Sequence, residues 1–415
     1  MSLKFRKILA ASGTLFFVLV AAALYFGMAY RHSHVPLRFA ALPQSFAGVG
    51  QAASSLVFSR DGKTLIVTDA QAGLSQWSVP DLHFGYRTQE RMADGVSTSS
   101  LSLNGSVLTV VDSDAVRRWA VDRTKFTALP VEGYLFKYAS STKNQRGNYQ
   151  DSFPLHVISP SGKVLAGVNT AGRVTITSAS AGRQLFVDGT LPFGDKDYPT
   201  QVCDIAFSPD DRLMAISSFR GGVSVASAPL DITLYDVHTE KIICRWQWRN
   251  AGIMNVINGS NENTGNLGTT GLVFSSNGLY LAAADSNRVA VWESRTGKLH
   301  QMLTPVGNSW ISRKRLLFFH GDTFLTGCGW GDHVPVWNVH SGRLLQMFYA
   351  NSFTEAVAVS PNGRLLATGG QDTGIFTSRA TGRQVSRDDK LLIAGEQVQT
   401  VNGSIALWDI HRLTH

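Results

Sequence analysis

The chain has few charges and few cysteines for its length. Asp, Glu, Lys and Arg make up 16% of its 415 residues, and it has 3 cysteines. Soluble domains carry about 25% charged residues, so this chain is unusually apolar. Three cysteines exclude a small scaffold held by disulfides, and a hydrophobic fraction of 44% excludes a disordered chain. A large folded chain with 39 glycines remains, and its sequence should be rich in turns.

Motifs for the common catalytic chemistries are also missing. The sequence has neither a G-x-S-x-G nucleophile elbow nor a P-loop, and His32 and His34 have no partner at metal-ligand spacing. The acidic pairs Asp210-Asp211 and Asp388-Asp389 fall in predicted hairpin turns, where Asp is favoured for local backbone bonding. We therefore expect a protein that is not an enzyme, with no catalytic residue, no metal and no cofactor.

The N-terminal residues have the pattern of a membrane span. Lys4, Arg6 and Lys7 precede an uncharged apolar run from Ile8 to Tyr30. As a helix this run would be about 34 Å long, against a hydrocarbon core of about 30 Å. The alternative is a cleaved signal peptide, whose apolar region usually has about 7–15 residues. The length of the run favours an anchor that is kept.

The distribution of positive charge predicts the orientation of this span. Three basic residues precede the apolar run and two follow it closely, Arg31 and Arg38, which favours a cytoplasmic N-terminus. We expect residues 1–35 to form a cytoplasmic tip and a single-pass signal-anchor in the cell membrane. Residues 36–415 would form a domain outside the cytoplasm, in the periplasm or the extracellular space.

Outside the N-terminal segment the charges nearly balance. No acidic residue occurs before residue 39, and beyond residue 38 the chain has 33 basic and 30 acidic residues. The net charge of +8 is thus largely a property of the N-terminus. Without a concentrated basic surface, we expect no nucleic acid partner.

The rest of the chain repeats one unit of paired β-type runs. Examples are SLVFSRDGKTLIVTDAQAGLSQWSV and GLVFSSNGLYLAAADSNRVAVWES. The second residue of the first turn falls at Gly62, Gly105, Gly278, Gly321 and Gly363, at intervals of 42 or 43 residues where no insertion intervenes. This interval is the period of a WD40 propeller blade, about 40–45 residues. Asp211 occupies the same turn position in the fourth unit.

The residues of this unit resemble the WD40-repeat family over nearly everything after residue 50. The resemblance lies in the FSPDG-like turns and in the aromatic residues of the third strands: Trp77, Trp119, Tyr235, Trp292, Trp337 and Trp408. The Gly-His dipeptide that usually precedes the first strand is missing, so the Asp–His–Ser–Trp network of that family cannot be carried over. The resemblance implies an all-β propeller of four-stranded blades and a protein that binds other macromolecules.

The number of blades is left open by the last units. The final interval, from Gly363 to Asp389, is only 26 residues. Either an eighth blade uses a strand from Leu37 to Leu42, or the last pieces complete a seventh blade. Pairing N- and C-terminal segments would close the ring and remove an exposed sheet edge. We expect seven blades, with eight as the alternative.

A second reading of the function is an exported propeller enzyme or ligand sensor. The segments ESRTGKLHQ and NVHSGRLLQ are similar to the docking pattern of quinoprotein propellers that hold pyrroloquinoline quinone. The tryptophan of that pattern is present only as Trp246, and ordinary WD40 units also place Thr-Gly-Lys after the third strand. A non-catalytic scaffold for protein partners is therefore the first hypothesis.

The longest insertions predict where a partner would bind. In a WD40-like blade, the connections between second and third strands and those between blades lie on one face. That face would hold the insertions of residues 125–154, 219–230, 249–270 and 396–403, and the segment around residues 310–315. Aromatic and Arg side chains are enriched in binding hot spots. We therefore predict a protein partner at Tyr134, Phe136, Tyr138, Trp310 and Arg313.

The three cysteines are predicted to be inert. Cys203, Cys244 and Cys328 fall on predicted strands, where a buried thiol behaves as a small apolar side chain. An odd number without a spacing pattern gives little support for a disulfide.

Overall fold

The computed structural model is a ring of seven four-stranded antiparallel blades. It describes residues 36–41, 53–69, 73–88, 100–111, 116–122, 125–129, 156–168, 174–178, 184–187, 200–220, 230–248, 271–284, 288–303, 315–328, 333–350, 353–371, 375–378, 384–386, 398–400 and 403–413. In this part of the chain, no helix is long and apolar enough to cross a membrane. The predicted membrane span at residues 1–35 lies outside the described residues.

The strands follow the repeat unit of the sequence. A first short strand, β1 (Arg38–Ala41), precedes blade 1, which consists of β2 (Ala53–Phe58), β3 (Thr64–Asp69), β4 (Gly73–Ser78) and β5 (Phe84–Arg87). Blade 2 has β6 (Ser100–Asn104), β7 (Val107–Val111), β8 (Val116–Val121) and β9 (Phe126–Leu129). Blade 3 has β10 (His156–Ile158), β11 (Val164–Val168), β12 (Val174–Ser178) and β13 (Gln184–Val187).

Blades 4 to 6 have the same order of four consecutive strands. Blade 4 has β14 (Thr200–Phe207), β15 (Leu213–Arg220), β16 (Leu230–Asp236) and β17 (Lys241–Trp248). Blade 5 has β18 (Leu272–Phe274), β19 (Tyr280–Ala284), β20 (Val289–Glu293) and β21 (Leu299–Leu303). Blade 6 has β22 (Arg315–Phe319), β23 (Phe324–Cys328), β24 (His333–Asn338) and β25 (Leu344–Tyr349).

Blade 7 closes the ring with strands from both ends of the chain. Its first two strands are β26 (Phe353–Val359) and β27 (Leu365–Gln371), its third is β31 (Gly403–Asp409), and β1 pairs with β31 as the outer strand. The expectation of seven blades, with pairing of N- and C-terminal segments, is therefore confirmed. A 3₁₀ turn at His411–Leu413 follows β31.

The last units of the sequence contribute to blade 7 and to a separate small sheet. The segment GIFTSR contains β28 (Ile375–Ser378), which is not the third strand of blade 7 but pairs with β29 (Gln384–Ser386) and β30 (Val398–Thr400) in a separate sheet. β31 takes the position instead because both of its faces are apolar and become buried. Leu407 packs towards blade 1 and Trp408 towards blade 6. The segment between β27 and β31 is thus inserted into blade 7, and the end of the chain completes this blade.

The hydrophobic core lies between the blades. Among the described residues, the buried apolar side chains form seven clusters, and each joins two neighbouring blades. A single blade cannot cover both of its apolar faces, so neighbouring blades must bury them for each other. All six predicted third-strand aromatics lie in such clusters and are at most 4% exposed. The cluster between blades 7 and 1 shows that the ring is closed by packing as well as by pairing.

Candidate functional site: the loop side of the propeller

The two flat sides of the ring differ in their connections. Turns within blades, between first and second strands and between third and fourth strands, lie on one side, which we call the hairpin side. Connections between second and third strands and from blade to blade leave from the other side, the loop side. The longer insertions of the sequence begin and end at strand ends on the loop side. The predicted start of the first insertion at residue 125 is wrong, because residue 125 lies in the hairpin-side turn before β9 and the connection to blade 3 starts after Leu129.

Repeated hydrogen bonds close the turns of the hairpin side. In blade 4 the Ser208 hydroxyl donates to Asp210 Oδ1 at 2.6 Å, and the same oxygen accepts the Arg212 N–H at 3.1 Å. Asn277 in blade 5 and Asn362 in blade 7 make the same two contacts, with N–H donors Leu279 and Arg364. These side chains replace water as partners of the turn, which fixes its shape.

Two carboxylates join the turns of neighbouring blades. Asp322 of blade 6 is 3% exposed and accepts the N–H groups of Ser276 and Asn277 of blade 5 at 2.7 and 3.0 Å. It also accepts the Ser276 hydroxyl at 3.0 Å. Asp211 of blade 4 bridges to Ser159 and Ser161 of blade 3 in a similar way. Both Asp residues have positive φ angles, 67° for Asp322 and 59° for Asp211. Asp211 lies at the turn position where other blades have Gly, and Asp322 directly follows the Gly at that position, Gly321.

The loop side of blades 4 to 6 has aromatic and basic side chains at its strand ends. Trp248, the last residue of β17, stacks edge-on against Trp292 with ring centroids 5.4 Å apart. The Arg288 guanidinium lies 5.8 Å from the Trp248 ring centroid, within the range of a cation–π contact. In blade 6, the rings of His333 and Tyr349 lie 5.0 Å apart. These contacts hold the strand ends that flank the insertions.

The five predicted partner-binding residues lie outside the described residues. The strands around them place their segments on the loop side. β9 ends at Leu129 and β10 begins at His156, so Tyr134, Phe136 and Tyr138 belong to the connection between blades 2 and 3. Trp310 and Arg313 belong to the connection between β21 and β22. Their role in binding a partner stays a prediction.

The acidic pair Asp210-Asp211 has structural partners. Asp210 caps its own turn, and Asp211 bonds to blade 3, so each carboxylate accepts hydrogen bonds from protein donors. The Ser208 hydroxyl and then the Arg212 N–H lower the pKa of Asp210, which keeps it ionised. The pair Asp388-Asp389 lies outside the described residues. No group of three or more His, Cys, Asp or Glu that could hold a metal ion occurs among the residues the structure describes.

The cysteines agree largely with the expectation. None of the three forms a disulfide, and Cys203 and Cys328 are buried. Burial, assisted by the neighbouring Asp204 carboxylate, raises the pKa of the Cys203 thiol. Cys244 is only partly buried, because it lies on the outer strand β17. Burial still raises the pKa of Cys244, which keeps it protonated.

The hydrogen bonds of the third-strand tryptophans differ from blade to blade. Trp408 Nε1 donates to Thr368 Oγ1 at 3.1 Å in blade 7. Thr368 lies two residues after Leu366, which pairs with Trp408. In blade 6, Leu325 pairs with Trp337, and the residue two positions later is Gly327, which has no hydroxyl group. Trp337 Nε1 is accordingly buried without a hydrogen-bond partner. The sequence lacks motif residues of the WD40 family, and in blade 6 the structure correspondingly lacks the tryptophan hydrogen bond.

Two sets of residues were not foreseen from the sequence. The bridging roles of Asp211 and Asp322 depend on contacts across blades, although Asp211 at a turn position where other blades have Gly was a visible signal. The outer rim has exposed apolar side chains, among them Leu37 (43%) and Phe84 (47%). Their exposure depends on the strand order of the blades, which the repeat pattern does not state.

Comparison with known proteins adds three findings. The family model described as "WD domain, G-beta repeat" matches residues 342–376, which span the outer strand of blade 6 and the first two strands of blade 7. This match includes Thr368, the hydroxyl partner of Trp408. The curated protein "Small ribosomal subunit protein RACK1" of Drosophila melanogaster is 34% identical over 65 residues, 15% of this chain. The chain spans only 20% of the length of that relative.

A solved structure is similar over most of the ring. The β-propeller domain of Cps50 (Swd1) from Myceliophteria thermophila aligns with a TM-score of 0.54 and 13% sequence identity. The alignment covers 78% of this chain and 94% of that domain. At this identity the likeness shows the fold alone. One segment of the chain thus matches the WD40 repeat model, and the fold of the chain is a seven-bladed β-propeller.

Proposed function

We propose that the protein is a non-catalytic scaffold, tethered to the membrane, that binds a protein partner through the loop side of its propeller. The supporting observation is the difference between the two sides of the ring. On the hairpin side the turns are short and are closed by their own hydrogen bonds. All the longer insertions start from the loop side. A rigid frame that presents long connections on one side is typical of a binding protein.

The contacts of the described carboxylates also favour a scaffold. Asp210, Asp211 and Asp322 accept hydrogen bonds from turn residues, which leaves them occupied as structural groups. WD40 propellers are in general non-catalytic interaction proteins. The curated relative is named as a protein of the small ribosomal subunit, so it is itself part of a macromolecular assembly. Nothing in the contacts above specifically favours the enzyme alternative.

The tether and its orientation come from the sequence. Residues 1–35 would supply the cytoplasmic tip and the span, with residues 36–415 on the outer side of the membrane. A reporter that is active only in the cytoplasm, fused after His415, should then give no signal. The same reporter fused before Lys4 should be active. Strong activity of the C-terminal fusion would contradict the proposed orientation.

The binding surface would include Tyr134, Phe136, Tyr138, Trp310 and Arg313. Replacing the first three by Ser should reduce the amount of partner that copurifies with the tagged protein from gently solubilised membranes. The melting temperature should stay nearly unchanged, because these residues belong to a connection and not to a blade. Leu279→Ser is the matched control, since Leu279 is 60% exposed on the hairpin side. Equal capture by the triple variant, or its unfolding, would refute the assignment.

A further inference from the structure

The chain enters the ring at an exposed apolar corner of the hairpin side. The Leu37 N–H donates to the Leu407 carbonyl at 2.6 Å, so β1 begins on this side, as the outer strand of blade 7. Arg38 Nη2 lies 3.8 Å from Asp81 Oδ1 in the turn between the third and fourth strands of blade 1. Leu37 and Phe84, which follows this turn, are 43% and 47% exposed.

The exposed charges at this corner are mostly basic. The described hairpin-side residues of blades 7 and 1 include five exposed basic and three exposed acidic residues: Arg38, Arg60, Lys63, Arg364 and Arg412 against Asp61, Asp81 and Asp409. Blade 5 also has exposed basic residues on this side, Arg295 and Lys298, with the partly exposed Glu293 beside them. What distinguishes the corner of blades 7 and 1 is therefore its position at the entry of the chain.

The predicted span is close to this corner along the chain. The apolar run ends at Tyr30, and β1 begins at Arg38, with Leu37 already bonded to blade 7. At about 3.3–3.6 Å per residue, the intervening segment reaches at most about 25 Å. A propeller held so close must turn some part of its surface to the lipid. Exposed apolar and basic side chains also occur on the hairpin side of blade 5, for example Leu279 at 60%. The corner with exposed Leu37 and Phe84 is the one that lies nearest to the predicted span along the chain.

We propose that the hairpin-side corner of blades 7 and 1, formed by Leu37, Arg38, Lys63 and Phe84, rests on an anionic lipid surface. Apolar and aromatic side chains enter the interfacial region, and basic side chains are attracted to the negative headgroups. This docking would turn the loop side away from the membrane and towards a partner. The inference rests on the proposed tether, and it adds a fixed orientation of the ring.

The experiment places a fluorescent label at three positions of the full chain in vesicles of phosphatidylcholine and phosphatidylglycerol. The positions are Phe84→Cys at the corner, Leu279→Cys on the hairpin side of blade 5, and Leu19→Cys in the middle of the predicted span. Cys244→Ser is the background, because Cys203 and Cys328 are buried and Cys244 is not fully so. Lipids with a nitroxide near the headgroup or deep in the chain serve as quenchers.

The three labels separate the docking from the tether. We expect the label at 19 to lose most of its emission to the deep quencher, and the label at 84 to the headgroup quencher. The label at 279 should keep its emission. Quenching at 19 without quenching at 84 would overturn the docking and leave the tether. No quenching at 19 would overturn both. Equal quenching at 84 and 279 would also overturn the docking, since no corner would be preferred.

Charge reversal tests the electrostatic part. Arg60→Glu with Lys63→Glu, both in the first turn of blade 1, should lower the quenching at 84 to the value found in vesicles of phosphatidylcholine alone. Arg295→Glu with Lys298→Glu in blade 5 is the matched control and should leave it unchanged. If both pairs have the same effect, the attraction is to the protein as a whole and the proposed corner is wrong.

Discussion

The bridge between blades 5 and 6 through Asp322 should contribute measurably to stability. The carboxylate is 3% exposed and accepts three hydrogen bonds from the turn of blade 5. A hydrogen bond to a charged group contributes about 1.5–3 kcal/mol. In Asp322→Asn one carbonyl oxygen remains for three donors, and Asn tolerates the positive φ of 67° at this position. The variant therefore tests the bonds without adding strain to the backbone.

The expected loss is about 2–3 kcal/mol, less than the full sum of two bonds, because Ser276 and Asn277 are exposed and water can replace the carboxylate as acceptor. In domains of 150–250 residues, 1 kcal/mol shifts the melting temperature by about 2–4 °C, and in a larger ring by less. We expect a fall of a few degrees, measured by tryptophan fluorescence on heating. Hydrogen exchange of the Ser276 and Asn277 amides should become faster.

Asp210→Asn is the matched control. Asp210 caps its own turn in blade 4, and Asn277 and Asn362 make the same contacts in blades 5 and 7. Its stability should therefore stay within about 0.5 kcal/mol of the original protein, as is usual for surface substitutions. If Asp322→Asn melts at the same temperature as the original protein and its amides exchange at the same rate, the bridge does not stabilise the ring.

Three further predictions concern ring closure and pH. In Gly369→Ala the new Cβ would lie 2.7 Å from Ala53 Cβ of blade 1, which should destabilise the ring by about 1–3 kcal/mol in denaturant titrations, whereas Gly85→Ala should be nearly neutral. A chain starting at residue 36 should be monomeric and almost wholly β by circular dichroism, and one starting at residue 43 should self-associate in light scattering, because the edge of β31 loses β1. Folding lowers the pKa of Asp210, so the stability that its carboxylate contributes is present above the ordinary pKa of 3.8 and is lost as the pH falls through the pKa of the folded protein. Any advantage of the original protein over Asp210→Asn in melting temperature should therefore disappear in acid.

The sequence predicted the repeat architecture well because its signals are local. Each turn of the type Ser-x-Asp-Gly or Ser-x-Asn-Gly is closed by side chains two to five residues away, so a short pattern is sufficient to locate it. Four of the third-strand tryptophans likewise follow their turns by 14 to 16 residues: Trp77, Trp119, Trp292 and Trp337. All of these appear in the structure as predicted.

Features that depend on distant contacts could not be read in this way. Whether β28 or β31 completes blade 7 depends on which strand can bury both faces between blades 6 and 1, and the local pattern of either segment does not state this. The bridge from Asp322 to Ser276 joins residues 46 positions apart. The residues of the candidate partner site lie in connections outside the described residues. Their prediction rests on the order of the strands within the blades, which decides the side of the ring from which a connection leaves.

The pairing of β1 with β31 has a consequence for the synthesis of the protein. β1 is the first described strand of the chain, and its partner is the last. Ribosomes add about 5–20 residues per second, so residues 38–41 wait roughly 20 to 70 s for the strand that ends at Asp409. During this time blades 1 to 6 can form in order, but blade 7 cannot be completed. The apolar flank of blade 1 that faces blade 7 stays uncovered until the chain is nearly finished, and this is the period in which a nascent chain of this kind most needs a chaperone.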